Sequence, residues 1–218
     1  MKRSSSFAMI FIMFLFGIGE ALYADLLTFD AQQTQGYEVP TPIYEGDYVF
    51  QSNFFGLGTF YDPYFFPNNG TKHLLSWSNW ANSNGTSGFT LTHRLEVPFE
   101  ITSFDFAGGQ FNVSGFGVSS LAVTGYRGGS IIASDVFHPI VDFNGDGPGQ
   151  TLRTINLNGF SGIDRLVVQA FQNNAPGYNN SASYDNFALS AVPEPSSLTF
   201  ISACTAIVAT SLGRGRRQ

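Results

Sequence analysis

The stretch Phe89-Thr90-Leu91-Thr92-His93-Arg94 decides the fold class. Phe89, Leu91 and His93 fall on one side of an extended chain, and Thr90, Thr92 and Arg94 on the other. A period of two with an apolar and a polar side marks a half-buried antiparallel strand. Further short runs of β-branched and aromatic residues recur at 26–29, 47–52, 73–76, 101–106, 121–126, 130–137, 152–157, 164–171 and 183–189. Clusters of Gly, Asn, Asp and Pro separate them, which is the strand-and-turn signature. Between residues 25 and 191 no stretch shows a 3.6-residue period. About ten strands in one chain of this size predict an all-β domain, a two-sheet antiparallel sandwich or jelly roll.

The composition agrees. Of 218 residues, 43% are hydrophobic, 16% aromatic and only 12% charged. That excludes a disordered chain, which has few aromatics, and a coiled coil, which needs charged heptads. The net charge of −6 argues against a nucleic-acid partner, because phosphates call for a basic face. The single cysteine, Cys204, excludes an intramolecular disulfide.

The two ends read as addresses. Met1-Lys2-Arg3 is followed by an uncharged run from 7 to 19 and by Ala21-Leu22-Tyr23-Ala24. A basic start, a short apolar core and a small residue before the cut make a secretory signal peptide, residues 1–24, handled by the Sec translocation machinery and cleaved after Ala24. The alternative is a retained anchor, but the run falls short of the ~20 residues that span a bilayer. At the other end stand Val192-Pro193-Glu194-Pro195, an uncharged stretch from 198 to 212, and Arg214, Arg216 and Arg217. As a helix the stretch would reach roughly 22 Å, marginal for a span, and the arginines would stay on the cytoplasmic side. The chain is therefore expected to be a signal helix, a sandwich over 25–191 and a tail with a short hydrophobic helix over 192–218.

This three-part tail resembles the PEP-CTERM sorting signal of exported Gram-negative proteins. The resemblance implies recognition by an exosortase, cleavage near the Pro-Glu-Pro motif, transient inner-membrane anchoring and a destination at the cell surface or in an extracellular matrix of exopolysaccharide. The body resembles galactose-binding-like jelly rolls through Leu26-Leu27-Thr28-Phe29-Asp30, Val123-Thr124-Gly125-Tyr126-Arg127-Gly128-Gly129-Ser130-Ile131-Ile132 and Tyr184-Asp185-Asn186-Phe187-Ala188-Leu189. That likeness raises the expectation of a carbohydrate-binding module.

Between residues 25 and 192 there are fourteen acidic and five basic residues, a net charge of −9. Such a surface repels anionic polymers and attracts cations. Asp142-Phe143-Asn144-Gly145-Asp146-Gly147 opens like a calcium loop, with alternating oxygen donors before a glycine that permits a sharp turn. Arg153 occupies the position where a helix–loop–helix calcium site places its bidentate Glu, so Asp142, Asn144 and Asp146 would need further ligands. The alternative is a hairpin turn. Asp30 and Asp185, on the first and last strands, are a second candidate Ca²⁺ pair, or else two solvated strand-end carboxylates. Calcium is thus a possible cofactor.

Residues 53–88 are rich in aromatics and Asn/Gly and hold both tryptophans. Sugar rings stack on exposed aromatic faces while Asn and Asp meet their hydroxyls. Most of these rings are expected in the core, with Tyr61, Tyr64 and Trp80 as candidate ligand contacts and Trp77 packed inward. No catalytic constellation stands out. His73, His93 and His138 are scattered, there is no His-Glu-x-x-His or Gly-x-Ser-x-Gly, and no carboxylates are visibly paired. The expected function is non-enzymatic polysaccharide binding. The alternatives are a structural or adhesive matrix protein and, last, a carbohydrate-active lyase or hydrolase.

Overall fold

The computed structural model describes residues 25–32, 42–53, 56–60, 70–78, 86–108, 118, 120–138, 152–171 and 181–192. They form twelve strands: β1 (Asp25–Leu27), β2 (Ile43–Glu45), β3 (Tyr48–Ser52), β4 (Gly56–Phe60), β5 (His73–Trp77), β6 (Thr86–His93), β7 (Phe99–Gly108), β8 (Ser120–Arg127), β9 (Ser130–Phe137), β10 (Arg153–Asn156), β11 (Arg165–Phe171) and β12 (Ser181–Ala191). Two six-stranded sheets result. The first runs β10-β7-β12-β5-β4, with β1 also paired to β12; the second runs β2-β3-β6-β11-β8-β9. Every pairing is antiparallel. The sandwich expected from the alternating runs is present. The expected signal helix and tail helix lie outside the described residues, and no described helix is long and apolar enough to cross a membrane.

All ten strands read from the alternating runs are present, and β2 and β4 are additional. β4 was hidden by Gly56 and Gly58, residues that weaken strand propensity. Their absence of side chains is what the sheet needs there. A Cβ at Gly56 would lie 2.0 Å from the Trp77 ring, which rests on β4 where Gly56 pairs with Trp77.

The core between the sheets is aromatic. Phe187 of β12 lies within 5.2–6.0 Å of Phe29, Phe50, Phe89 and Phe104 by ring centroids. Tyr184 contacts Phe89 and Phe106 at 4.9 and 5.3 Å. Edge-to-face pairs dominate, the geometry that the ring quadrupole favours. A polar clip crosses the same space: the Ser76 hydroxyl bonds Ser87 of the other sheet at 3.1 Å and the Tyr184 hydroxyl at 3.3 Å.

Tyr184 and Phe187 both face inward although three residues apart. A bulge reconciles them. Asp185 pairs with Asp105 while Ala188 pairs with Ser103, so β12 carries one extra residue against β7. The extra residue is taken up at Asn186, whose φ is +51°. Asn tolerates that left-handed conformation better than most residues.

Candidate functional site

The two outer faces of the sandwich differ. On the first sheet, Phe60, Leu75 and Trp77 form a second, smaller buried cluster, with the Phe60 and Trp77 rings edge-to-face at 5.8 Å. Trp77 is buried as expected, but on the side of its sheet away from the central core. His73, Ser183 and Asp185 are buried as well.

Asp30 and Asp185 bond to the consecutive residues Lys72 and Thr71. The Asp185 carboxylate accepts from the Thr71 hydroxyl at 3.0 Å, and the Asp30 carboxylate accepts from the Lys72 backbone N–H at 3.2 Å. The Lys72 ammonium donates to the Asp30 and Gln32 carbonyls at 3.1 and 2.6 Å. Positive charge at this corner thus comes from a lysine. Among the described residues no group of three or more His, Cys, Asp or Glu side chains is placed to hold a metal ion. Asp142, Asn144 and Asp146 lie outside the described residues, as do Tyr61, Tyr64 and Trp80, the cleavage position Ala24, and Pro193, Glu194, Pro195, Arg214, Arg216 and Arg217. Val192 is described, and its N–H donates to the Pro98 carbonyl at 2.9 Å.

The second sheet is open on its outer face. The polar side of Phe89-Thr90-Leu91-Thr92-His93-Arg94 points there, and the pairing registers extend it across the sheet. Tyr44, Val49, Thr92, Arg165 and Tyr126 stand side by side on β2, β3, β6, β11 and β8. At about 4.8 Å per strand this row is roughly 19 Å long. None of its members is buried, while their chain neighbours Tyr48, Phe50, Leu91 and Leu166 are. A parallel row of Gln51, Thr90, Val167, Thr124 and Ser134 supplies an amide and three hydroxyls.

Each tyrosine of the first row carries an arginine. The Arg165 guanidinium lies 4.2 Å from the centroid of the Tyr126 ring, and that of Arg94 lies 5.5 Å from Tyr44. Both distances are within cation–π range. Between them opens a cleft of about 520 Å³, lined by Val49, Thr92, Arg94, Glu96, Asp164 and Arg165 among others. Its rim is made by two turns. In the β8–β9 hairpin, Gly128 and Gly129 have φ of +55° and +82°, the positive pair a type I′ turn requires. The Asp164 carboxylate accepts from the Gly128 N–H at 2.5 Å and fixes this turn. After β6, Leu95 and Glu96 turn back on His93 through Nδ1 and the carbonyl at 3.2 and 3.0 Å. Glu96 there holds a φ of +56°, a strained conformation for a non-glycine residue.

Tyr44, Tyr126, Arg94 and Arg165 are not among the candidate ligand contacts expected from the sequence. The signal was present: Ala122, Thr124 and Tyr126 alternate with Leu121, Val123 and Gly125 as Thr90, Thr92 and Arg94 alternate with their neighbours. Carrying the alternation from strand to strand needs the registers, which the sequence does not contain.

No protein-family model and no curated protein matches the chain. Among solved structures, a DUF4465 family protein from Bacteroides caccae is 10% identical, with 77% of this chain and 99% of that one aligned at a TM-score of 0.51. It supports the fold. An arabinose-bound GH51 α-L-arabinofuranosidase is 20% identical at a TM-score of 0.45, over 79% of this chain but 27% of its own, so the chain spans about a quarter of that enzyme. The carbohydrate-binding module TmCBM61, in complex with β-1,4-galactotriose, is 12% identical at a TM-score of 0.35, over 67% of this chain and 90% of its own.

Proposed function

We propose that this protein binds an extended polysaccharide, without catalysis, on the open face of the second sheet. The observation that carries this is the row Tyr44–Val49–Thr92–Arg165–Tyr126, with an aromatic ring at each end and the Thr92 hydroxyl and the Arg165 guanidinium between them. A run of roughly 19 Å outspans one sugar ring and suits a polymer. Of the two carboxylates in the cleft, Asp164 is already committed to the Gly128 N–H, which favours binding over acid–base work. The test is a glycan-array measurement on the purified protein, with Tyr126→Ala and Tyr44→Ala beside it. Each variant should lose at least tenfold in affinity with an unchanged melting temperature. Unchanged affinity in both, or release of shortened glycan by the parent protein, would overturn the proposal.

The setting is that of an exported protein sorted through its Pro193-Glu194-Pro195 tail by an exosortase, to the cell surface or an exopolysaccharide matrix. Mass spectrometry of the mature termini in the native host tests it. Ends near residues 25 and 195 are expected, and a mature chain running to Gln218 would rule the sorting reading out.

A second reading, an adhesive matrix protein without a defined ligand, draws on β9. It is the last strand of its sheet and exposes Ile131, Ile132 and Val136. Such an edge is a template for strand pairing between copies. Concentration-dependent association in sedimentation, abolished by Ile132→Lys, would favour it.

A further inference from the structure

The geometry points to a specific class of glycan: one carrying carboxylates, a uronate polymer, read by Arg165 with help from Arg94. The inference rests on the open face being the binding surface, and it concerns charge. The body is strongly acidic, so on composition alone it should repel anionic polymers. Yet two of its five basic residues line one cleft. Both guanidinium groups lie against tyrosine rings, and among the described residues no ion pair occupies either. An arginine on an acidic protein normally finds a carboxylate. One held on an aromatic face instead keeps its N–H edges for a ligand.

Arginine is also a selective choice. Its five donors form a rigid, permanently charged fork that matches a planar carboxylate with two parallel hydrogen bonds. A neutral sugar, whose hydroxyls both donate and accept, is served as well by Asn, Gln or Thr, and the neighbouring row supplies these in Gln51, Thr90 and Thr124. The cleft also holds the Asp164 and Glu96 carboxylates, which match the two arginines in charge, but among the described residues neither forms an ion pair with them. Asp164 is turned to the hairpin backbone, and Glu96 belongs to the turn after β6. Within the row, Arg165 has Thr92 on one side and Tyr126 on the other.

The test uses the full purified chain and a panel of polygalacturonate, alginate and hyaluronate. Each polymer is compared with its carboxyl-reduced form, which keeps the linkages and removes the charge. At least one native polymer should bind ten times or more tighter than its reduced counterpart. Arg165→Gln should bring the ratio of the two affinities close to one. Arg165→Lys should restore only part of the difference, because it keeps the charge and loses the fork. Equal affinity for native and reduced forms would overturn the uronate assignment and leave glycan binding standing. Failure to bind either form of all three polymers, together with a blank neutral glycan array, would overturn the binding surface itself.

Discussion

The side-chain amide of Asn186 donates to the carboxylate of Asp105 at 2.7 Å, across the bulge where β12 carries one residue more than β7. The other oxygen of Asp105 accepts from Thr154 of β10 at 2.6 Å, so one carboxylate ties three neighbouring strands. The bulge lets Tyr184 and Phe187 both enter the core.

Asn186→Gly keeps the left-handed backbone and loses the bond to a charged acceptor, a loss of about 1–3 kcal/mol. Asn186→Ala loses the bond and must also hold a positive φ, at about 1 kcal/mol more. Urea titration of both variants checks the order. Equal costs would show that the backbone conformation carries no strain.

Gly56→Ala pushes a methyl into the Trp77 ring and should cost about 1–3 kcal/mol through overpacking. In the background of Trp77→Ala the same change should cost almost nothing. A double-mutant cycle reads this coupling directly. Additive costs would mean that the ring is free to move away.

Phe187→Ala opens a cavity among four rings and should cost about 3–5 kcal/mol, among the largest losses of any single truncation here. Phe187→Leu, which refills most of the volume, should cost clearly less. Thermal or urea melts of the pair decide it. Similar losses would place the importance in ring–ring geometry.

Burial pushes the Tyr48 hydroxyl up from 10.0 to about 12, with the charges of Asp25 and Asp47 adding to the effect. Burial drives Tyr184 higher still, although its bond from Ser76 opposes the shift. Both groups are held neutral in the fold and ionise more readily once unfolded. Their stabilising effect is therefore complete below pH 10 and falls away as pH rises through 10 to 12. Absorbance at 295 nm should show these two tyrosines titrating late, together with the loss of the near-ultraviolet dichroism. Tyr48→Phe should shift that alkaline transition upward.

The fold was legible because strand alternation is local. Each of the ten runs carried its own two-sided pattern, and the sandwich followed from their number and spacing. What escaped had non-local causes. β4 reads as glycine-rich loop until the Trp77 ring lying on it is seen. β2 is three residues long and pairs through Tyr44, which looks like any exposed aromatic. The candidate site escaped for the same reason. Its row takes one residue from each of five strands, and only the registers say that Tyr44, Thr92 and Tyr126 share a line. Both tryptophans fall within 53–88, but density of rings along the chain says little about which face a ring takes. Trp77 shows this: it is buried, yet in a cluster separate from the central core.

The order of strands in the two sheets sets when the molecule can fold. β11 stands between β6 and β8, and β12 joins β7 to β5 and β1. Both joining strands come from residues 165–191, about the last seventh of the sequence up to that point. A growing chain that ends before them holds β2-β3-β6, β4-β5, β7-β10 and β8-β9 as separate pieces. The second sheet cannot close before residue 171 nor the first before residue 191, and closing them pairs segments as distant as Thr86 and Phe171 in one sheet and Asp25 and Leu189 in the other. Loop-closure entropy makes such a step slow. The nascent chain should therefore persist as an extended, protease-sensitive polymer throughout its synthesis and become compact only at the end, as a single cooperative event.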